Sequence, residues 1–218
     1  MNEWDLQSAL TGQWLKKPPV IASFGRLSLV GWEVMFPSWD INYKTTRWNE
    51  PSIDFVLVTE NCDFILVELK NIIPDRSRLV SAYCQVSHRA DQFVRTYTKP
   101  RILKAYDQCM AGACGRFATD SLPSNRSELH DMLPDSISPH SIYRVLAAVS
   151  FPKNTQNLVD DFNQRSHLEL LGKFGKPPKT SKERNRFDAM VAADYDALRT
   201  NPVALMTVSA SVGSQDRT

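Results

Sequence analysis

Residues 51–71 read PSIDFVLVTENCDFILVELKN. Two apolar runs, IDFVLV and DFILVELK, flank a polar break, and both have the length and the β-branched and aromatic content of strands. If they are antiparallel arms joined by a turn centred near Asn61, Val56 faces Leu66, Val58 faces Phe64, and Asp54 faces Glu68. Side chains alternate along a strand, so Phe64, Leu66, Glu68 and Lys70 share one face, and Asp54 joins it from the neighbouring arm. Directly opposed Cβ atoms lie roughly 5 Å apart. A slip of one residue would send the acids to opposite faces.

That register gathers two carboxylates and one ammonium at the end of an otherwise apolar hairpin. Such carboxylates repel, and each is held above its ordinary pKa unless a cation sits between them. A divalent metal resolves the conflict. Mg2+, or Mn2+ in its place, accepts one or two carboxylates and completes its shell with water and substrate phosphate. A nearby lysine orients or helps deprotonate a metal-bound water and neutralises charge on phosphorus, which together equip a site for phosphodiester hydrolysis. In the plainer alternative, Glu68 and Lys70 are gatekeeping charges at a strand end and Asp54 is a turn residue.

Around the hairpin the pattern is mixed. Residues 3–15 place Trp4, Leu6, Leu10, Trp14 and Leu15 on one helical face, and Pro18-Pro19 ends that helix. RLSLVGWEVMF (26–36) reads as a strand. From Asp75 to about Tyr97, Leu79, Tyr83, Val86, Ala90, Phe93 and Tyr97 recur at helical spacing, with Gln85, His88, Gln92 and Arg95 opposite. A helix over 102–114, an irregular stretch over 115–140, a central strand over 141–151, a helix over 156–171, a basic linker over 172–186, a helix over 187–198 and a last strand in VALMTVSA follow. The order predicts an α/β fold, a mixed central β-sheet flanked by α-helices with the core order αβββαβ. The expected organisation is a single domain over 1–218, with its core over about 1–151 and a helical, basic extension over about 152–218.

The chain of 218 residues is 42% hydrophobic and 23% charged with a net charge of +2. It has core enough to fold without a staple, and its charge permits an anionic partner without requiring one. The four cysteines form no CxxC pair, which argues against a zinc site and for reduced thiols. The N-terminus has early acids and no apolar run, unlike a signal peptide, and no stretch suits a membrane span. The expectation is a cytoplasmic protein. No GxSxG is present, so no serine triad is argued.

Asp54 followed by Glu68-Leu69-Lys70 resembles the D…(D/E)xK signature of the PD-(D/E)xK nuclease superfamily, whose fold is restriction-endonuclease-like. The resemblance covers the hairpin motif and the element order over roughly 1–151. Ile53, not proline, precedes Asp54. The resemblance implies that Asp54 and Glu68 hold Mg2+, that Leu69 adds its backbone carbonyl, and that Lys70 acts on the attacking water. It implies a further upstream acid, for which Glu3 on the first helix and Glu33 on the first strand both stand; Glu33 is preferred because Glu3 lies near a terminus that can fray. Gln85, on the helix after the motif, matches the glutamine often found there. DNA is the substrate that family analogy favours, in restriction, phage defence, repair or mobile-element processing. Cutting a duplex would favour a homodimer. Lys173, Lys176, Lys179, Lys182 and Arg184 in the basic linker are candidates for tracking phosphates; Arg76, Arg78, Arg89, Arg95, Lys99 and Arg101 are candidates for a backbone-binding groove. The competing expectations are a catalytically inactive module of the same fold, binding nucleic acid or a protein, and a subunit of a larger complex.

Overall fold

In the computed structural model the described residues are 2–17, 19–21, 24, 27–35, 52–112, 125–174, 179–181, 184 and 200–209. The first helix, α1 (Glu3–Lys16), starts on a reciprocal cap. The Asn2 side chain accepts from the Asp5 N–H at 2.8 Å, and the Asp5 carboxylate accepts from the Asn2 N–H at 3.3 Å. Glu3 and Asp5 in the first turn also complement the helix dipole. Leu6, Leu10 and Trp14 recur every fourth residue and bury against the sheet, with the Trp14 ring 4.6 Å from that of Phe55.

Three strands follow, β1 (Leu27–Met35), β2 (Ser52–Thr59) and β3 (Phe64–Ile72). The hairpin has the expected register: Val56 pairs with Leu66 and Val58 with Phe64, in a ladder that runs to Phe55 and Val67. Its loop is Glu60–Cys62. The Thr59 N–H donates to Asp63 O at 2.9 Å, the Cys62 N–H donates to Thr59 O at 3.0 Å, and Cys62 takes the left-handed conformation with φ 63°. This is the three-residue hairpin loop with a left-handed third residue. Strand β1 pairs antiparallel with β2, with a bulge at Val30 between the Leu29 and Gly31 pairs.

Strand β4 (Ile142–Ser150) runs parallel to β3, and β5 (Ala204–Thr207) runs parallel to β4, giving a mixed five-stranded sheet in the order β1-β2-β3-β4-β5. Burial of β4 over Arg144–Ala148 suits a strand with neighbours on both sides. The sheet is flanked by helices on both faces: α1 covers one, while α2 (Arg76–Thr96) and α3 (Lys99–Gly112) cover the other. Phe64 sits 5.2 Å from the Phe93 ring and 5.5 Å from that of Tyr97. The first half of α2 is backed by α5 (Thr155–Phe162) and α6 (His167–Phe174).

A buried arginine ties these layers together. Arg144 on β4 is 2% exposed. It donates to Ser87 Oγ on α2 at 2.6 Å and to the Asn201 carbonyl, just before β5, at 2.8 Å. The segment expected as an extension therefore supplies an edge strand, anchored to the core through β4.

Several boundaries differ from the sequence reading. Helix α3 starts at Lys99, with Pro100 in its first turn, where its missing N–H costs nothing. The stretch expected to be irregular contains α4 (Arg126–Met132), capped by Asn125. The helix expected over 156–171 is two helices, broken around Asn163–Ser166. The helix expected over 187–198 lies outside the described residues.

Candidate active site

Beyond Phe55 and Val67 the hairpin ladder gives way to a side-chain bond. Asp54 Oδ2 accepts the Leu69 N–H at 2.6 Å, so a carboxylate takes the place of main chain at this end of the arms. Gln7 Nε2 on α1 donates to the Asp54 carbonyl at 3.2 Å and fixes the backbone beneath it. Glu68, one residue before Leu69, is 1% exposed.

Two cations meet these acids. Arg89, more than halfway along α2, pairs through Nη1 with Glu68 Oε2, and the same nitrogen lies 3.9 Å from Asp54 Oδ1. Lys70 Nζ lies 2.8 Å from Glu68 Oε1 and 3.2 Å from Glu3 Oε1. Acidic and basic residues alternate along the chain of contacts Glu3, Lys70, Glu68, Arg89, Asp54, and Glu68 has a cation on each oxygen.

The electrostatics follow from burial. Loss of solvent, then the neighbouring Glu68 carboxylate, push Asp54 up to about 8, against the pull of Arg89, Lys70 and the Leu69 N–H. For Lys70, burial favours the neutral amine, but Glu68, Asp54 and Glu3 outweigh it and hold the pKa above its ordinary value. Lys70 is therefore an ammonium at neutral pH, suited to orienting a nucleophile and neutralising charge rather than taking up a proton.

The donor set fits a hard divalent cation. Asp54 is raised first by burial and then by the Glu68 charge, and Arg89, 3.9 Å away, offsets these only in part. In an extended strand the N–H and C=O of one residue point to the same side. The Leu69 carbonyl thus projects toward the Asp54 arm together with its N–H. Asp54, Glu68 and that carbonyl are oxygen donors of the kind Mg2+ accepts alongside water. Among the described residues no group of three or more His, Cys, Asp or Glu side chains is arranged to hold a metal.

The remaining candidates are spread more widely. Glu3, the less favoured upstream acid, reaches Lys70, and the cap on α1 secures the turn that carries it. Glu33 lies in β1 between the pairs Trp32–Phe55 and Val34–Ile53, which puts it across from Asp54 in the ladder; its side chain lies outside the described residues. Gln85 is half-buried, one turn before Arg89 on the same flank of α2. Lys173 is exposed in the last turn of α6, and Lys179 and Arg184 are exposed beyond it; Lys176 and Lys182 lie outside the described residues. Leu170 and Leu171 of α6 share a buried cluster with Leu79, Val80, Ala82, Tyr83, Cys84 and Val86 of α2, all of which precede Arg89.

Arg89 was read from sequence only as one of several groove charges, yet it is the residue that joins both acids. Its signal was its place one turn after Gln85. A depression of about 330 Å³ lined by Phe24, Thr59, Asn61, Asp63, Tyr143, Pro202 and Ala204 lies at the opposite, turn end of the hairpin and does not touch the acids. Among the described residues no helix is long and apolar enough to cross a membrane. No family model matches the chain, and no curated protein or solved structure matches it either.

Proposed function

We propose that the protein is a metal-dependent nuclease of restriction-endonuclease-like fold that hydrolyses phosphodiester bonds, with DNA as the favoured substrate. One observation carries this reading: the Asp54 and Glu68 carboxylates converge on a single Arg89 nitrogen at the end of a buried hairpin, with Lys70 bonded to Glu68. Asp54, Glu68 and the Leu69 carbonyl would hold Mg2+ or Mn2+, which would supply Lewis-acid stabilisation of charge at phosphorus and activation of water. The chain's own groups do the rest. Gln7 and the Leu69 N–H fix Asp54. Glu68 and Glu3 hold the Lys70 ammonium in place, where it donates to the attacking water and offsets negative charge on the phosphate.

The test is cleavage of plasmid, single-stranded DNA and RNA in Mg2+, Mn2+ or EDTA. Asp54→Ala and Lys70→Ala each abolish metal-dependent cleavage while circular dichroism reports a folded protein. Undiminished cleavage by both variants would sink the proposal.

A second reading has its own observation. Arg89 and Lys70 already occupy both Glu68 oxygens, as a purely structural ion network would. The protein is then a catalytically inactive module of the same fold, binding nucleic acid or a protein partner. Calorimetry separates the two, since this reading requires that neither Mn2+ nor Mg2+ binds.

A further inference from the structure

Glu68 is 1% exposed, and the Arg89 side chain that pairs with it is 14% exposed. The guanidinium also faces Asp54 Oδ1 at 3.9 Å, while its backbone belongs to a different layer, α2, from the two strands that carry the acids. A buried carboxylate pair without a cation between its members is strongly unfavourable. The same space cannot hold a guanidinium and a divalent ion, because like charges at that separation repel. We propose that Arg89 is the resident counter-ion of the Asp54–Glu68 pair in the metal-free protein, and that a divalent cation binds by displacing it. This inference rests on the nuclease reading.

The swap has a direct thermodynamic consequence. Metal binding must break the Arg89–Glu68 pair, so the observed affinity is lower than the donor set alone would give. Arg89 keeps the acids folded without metal and in return weakens the metal site. A purely structural arginine acts in the opposite direction: its removal loosens the acids and weakens metal binding. Lys70 is not an equivalent competitor, since it pairs with Glu68 Oε1 and Glu3 on the other side of the glutamate.

The experiment is Mn2+ titration by calorimetry of the full chain, comparing wild type, Arg89→Gln and Arg89→Lys, with thermal melts in EDTA and in Mn2+. Removing the unit charge that pairs with Glu68 and lies 3.9 Å from Asp54 Oδ1 is expected to tighten Mn2+ binding by about tenfold or more in Arg89→Gln. Arg89→Lys, which keeps the charge on a shorter and more flexible stem, falls between the two. The Arg89→Gln protein also melts lower than wild type in EDTA and gains more from Mn2+. If it does not fold in EDTA, Mn2+ restores the fold; failure to restore it overturns the inference. Equal or weaker Mn2+ binding by a folded Arg89→Gln, with wild type still binding Mn2+, overturns the inference and leaves the nuclease reading standing. Absence of binding by all three proteins overturns both. Binding by Arg89→Gln but not wild type supports the inference in its strongest form.

Discussion

Replacing Asp54 by asparagine should make the metal-free protein more stable, and increasingly so as pH rises. The ordinary value of 3.8 applies to Asp54 in the unfolded chain, while burial and Glu68 push it up to about 8 in the fold. Below about pH 4 both states hold the proton and the group is neutral in its effect. Between about pH 4 and pH 8 the unfolded chain ionises while the folded one keeps its proton. Folding stability then falls by about 1.4 kcal/mol per pH unit. Above pH 8 both states are ionised and the loss levels off, at a ceiling of about 6 kcal/mol. An asparagine has no such titration, and its side-chain oxygen can still accept the Leu69 N–H. Urea unfolding of both proteins in EDTA between pH 4 and pH 9 measures the difference. The advantage of Asp54→Asn over wild type should widen steadily to about pH 8, and the same variant should lose metal-dependent cleavage, a trade of function for stability. A gap independent of pH, or an Asp54→Asn protein less stable than wild type at pH 8, would refute the account of how the acids are buried.

Other expectations are simpler. Ser87→Ala removes the acceptor for a guanidinium N–H of the buried Arg144 and should cost about 1–3 kcal/mol; urea unfolding would show a lower midpoint with an unchanged slope. Cys62→Val forces a β-branched residue into the left-handed conformation of the hairpin loop and should cost about 1–2 kcal/mol, whereas Cys62→Gly should be better tolerated, as thermal melts would report. The Glu3 side chain is 48% exposed, so Glu3→Gln should shift stability by less than about 1 kcal/mol yet reduce Mn2+-dependent cleavage through Lys70. Loss of activity in Glu33→Gln with none in Glu3→Gln would give the role of upstream acid to Glu33.

The hairpin was legible because its two arms are apolar on both faces, so charge stood out and the turn set the pairing of Val56 with Leu66. Strand β4 was legible for the same reason, as a continuous buried run, and α2 through its spacing of Leu79, Tyr83, Val86, Ala90 and Phe93. What was hidden had no periodicity to betray it. Helix α4 buries only Leu129, so a polar segment flanked by prolines looked irregular. The break between α5 and α6 interrupts an apolar pattern that continues past it. Arg89 was obscured because an arginine on a helix flank is ordinary surface charge until the helix docks, and its docking partners lie on strands distant in sequence. The preference for Glu33 rested on fraying at the start of the chain and did not weigh the reciprocal cap of Asn2 with Asp5 on the turn that carries Glu3.

The mixed pairing of the sheet has a consequence for the order of folding. The β2–β3 arms are joined by a tight loop and need almost no chain closure to meet. Pairing Phe64 with Ile142 closes a loop that contains α2, α3 and α4, and such distant contacts form slowly because their entropy cost precedes their reward. The hairpin can therefore place Asp54 and Glu68 side by side while both are still hydrated. Their desolvation waits for β4 and the docked face of α2, so its energetic cost falls late in folding, after most of the apolar surface has been committed. Substitutions at the acids should accordingly change the rate of unfolding far more than the rate of folding.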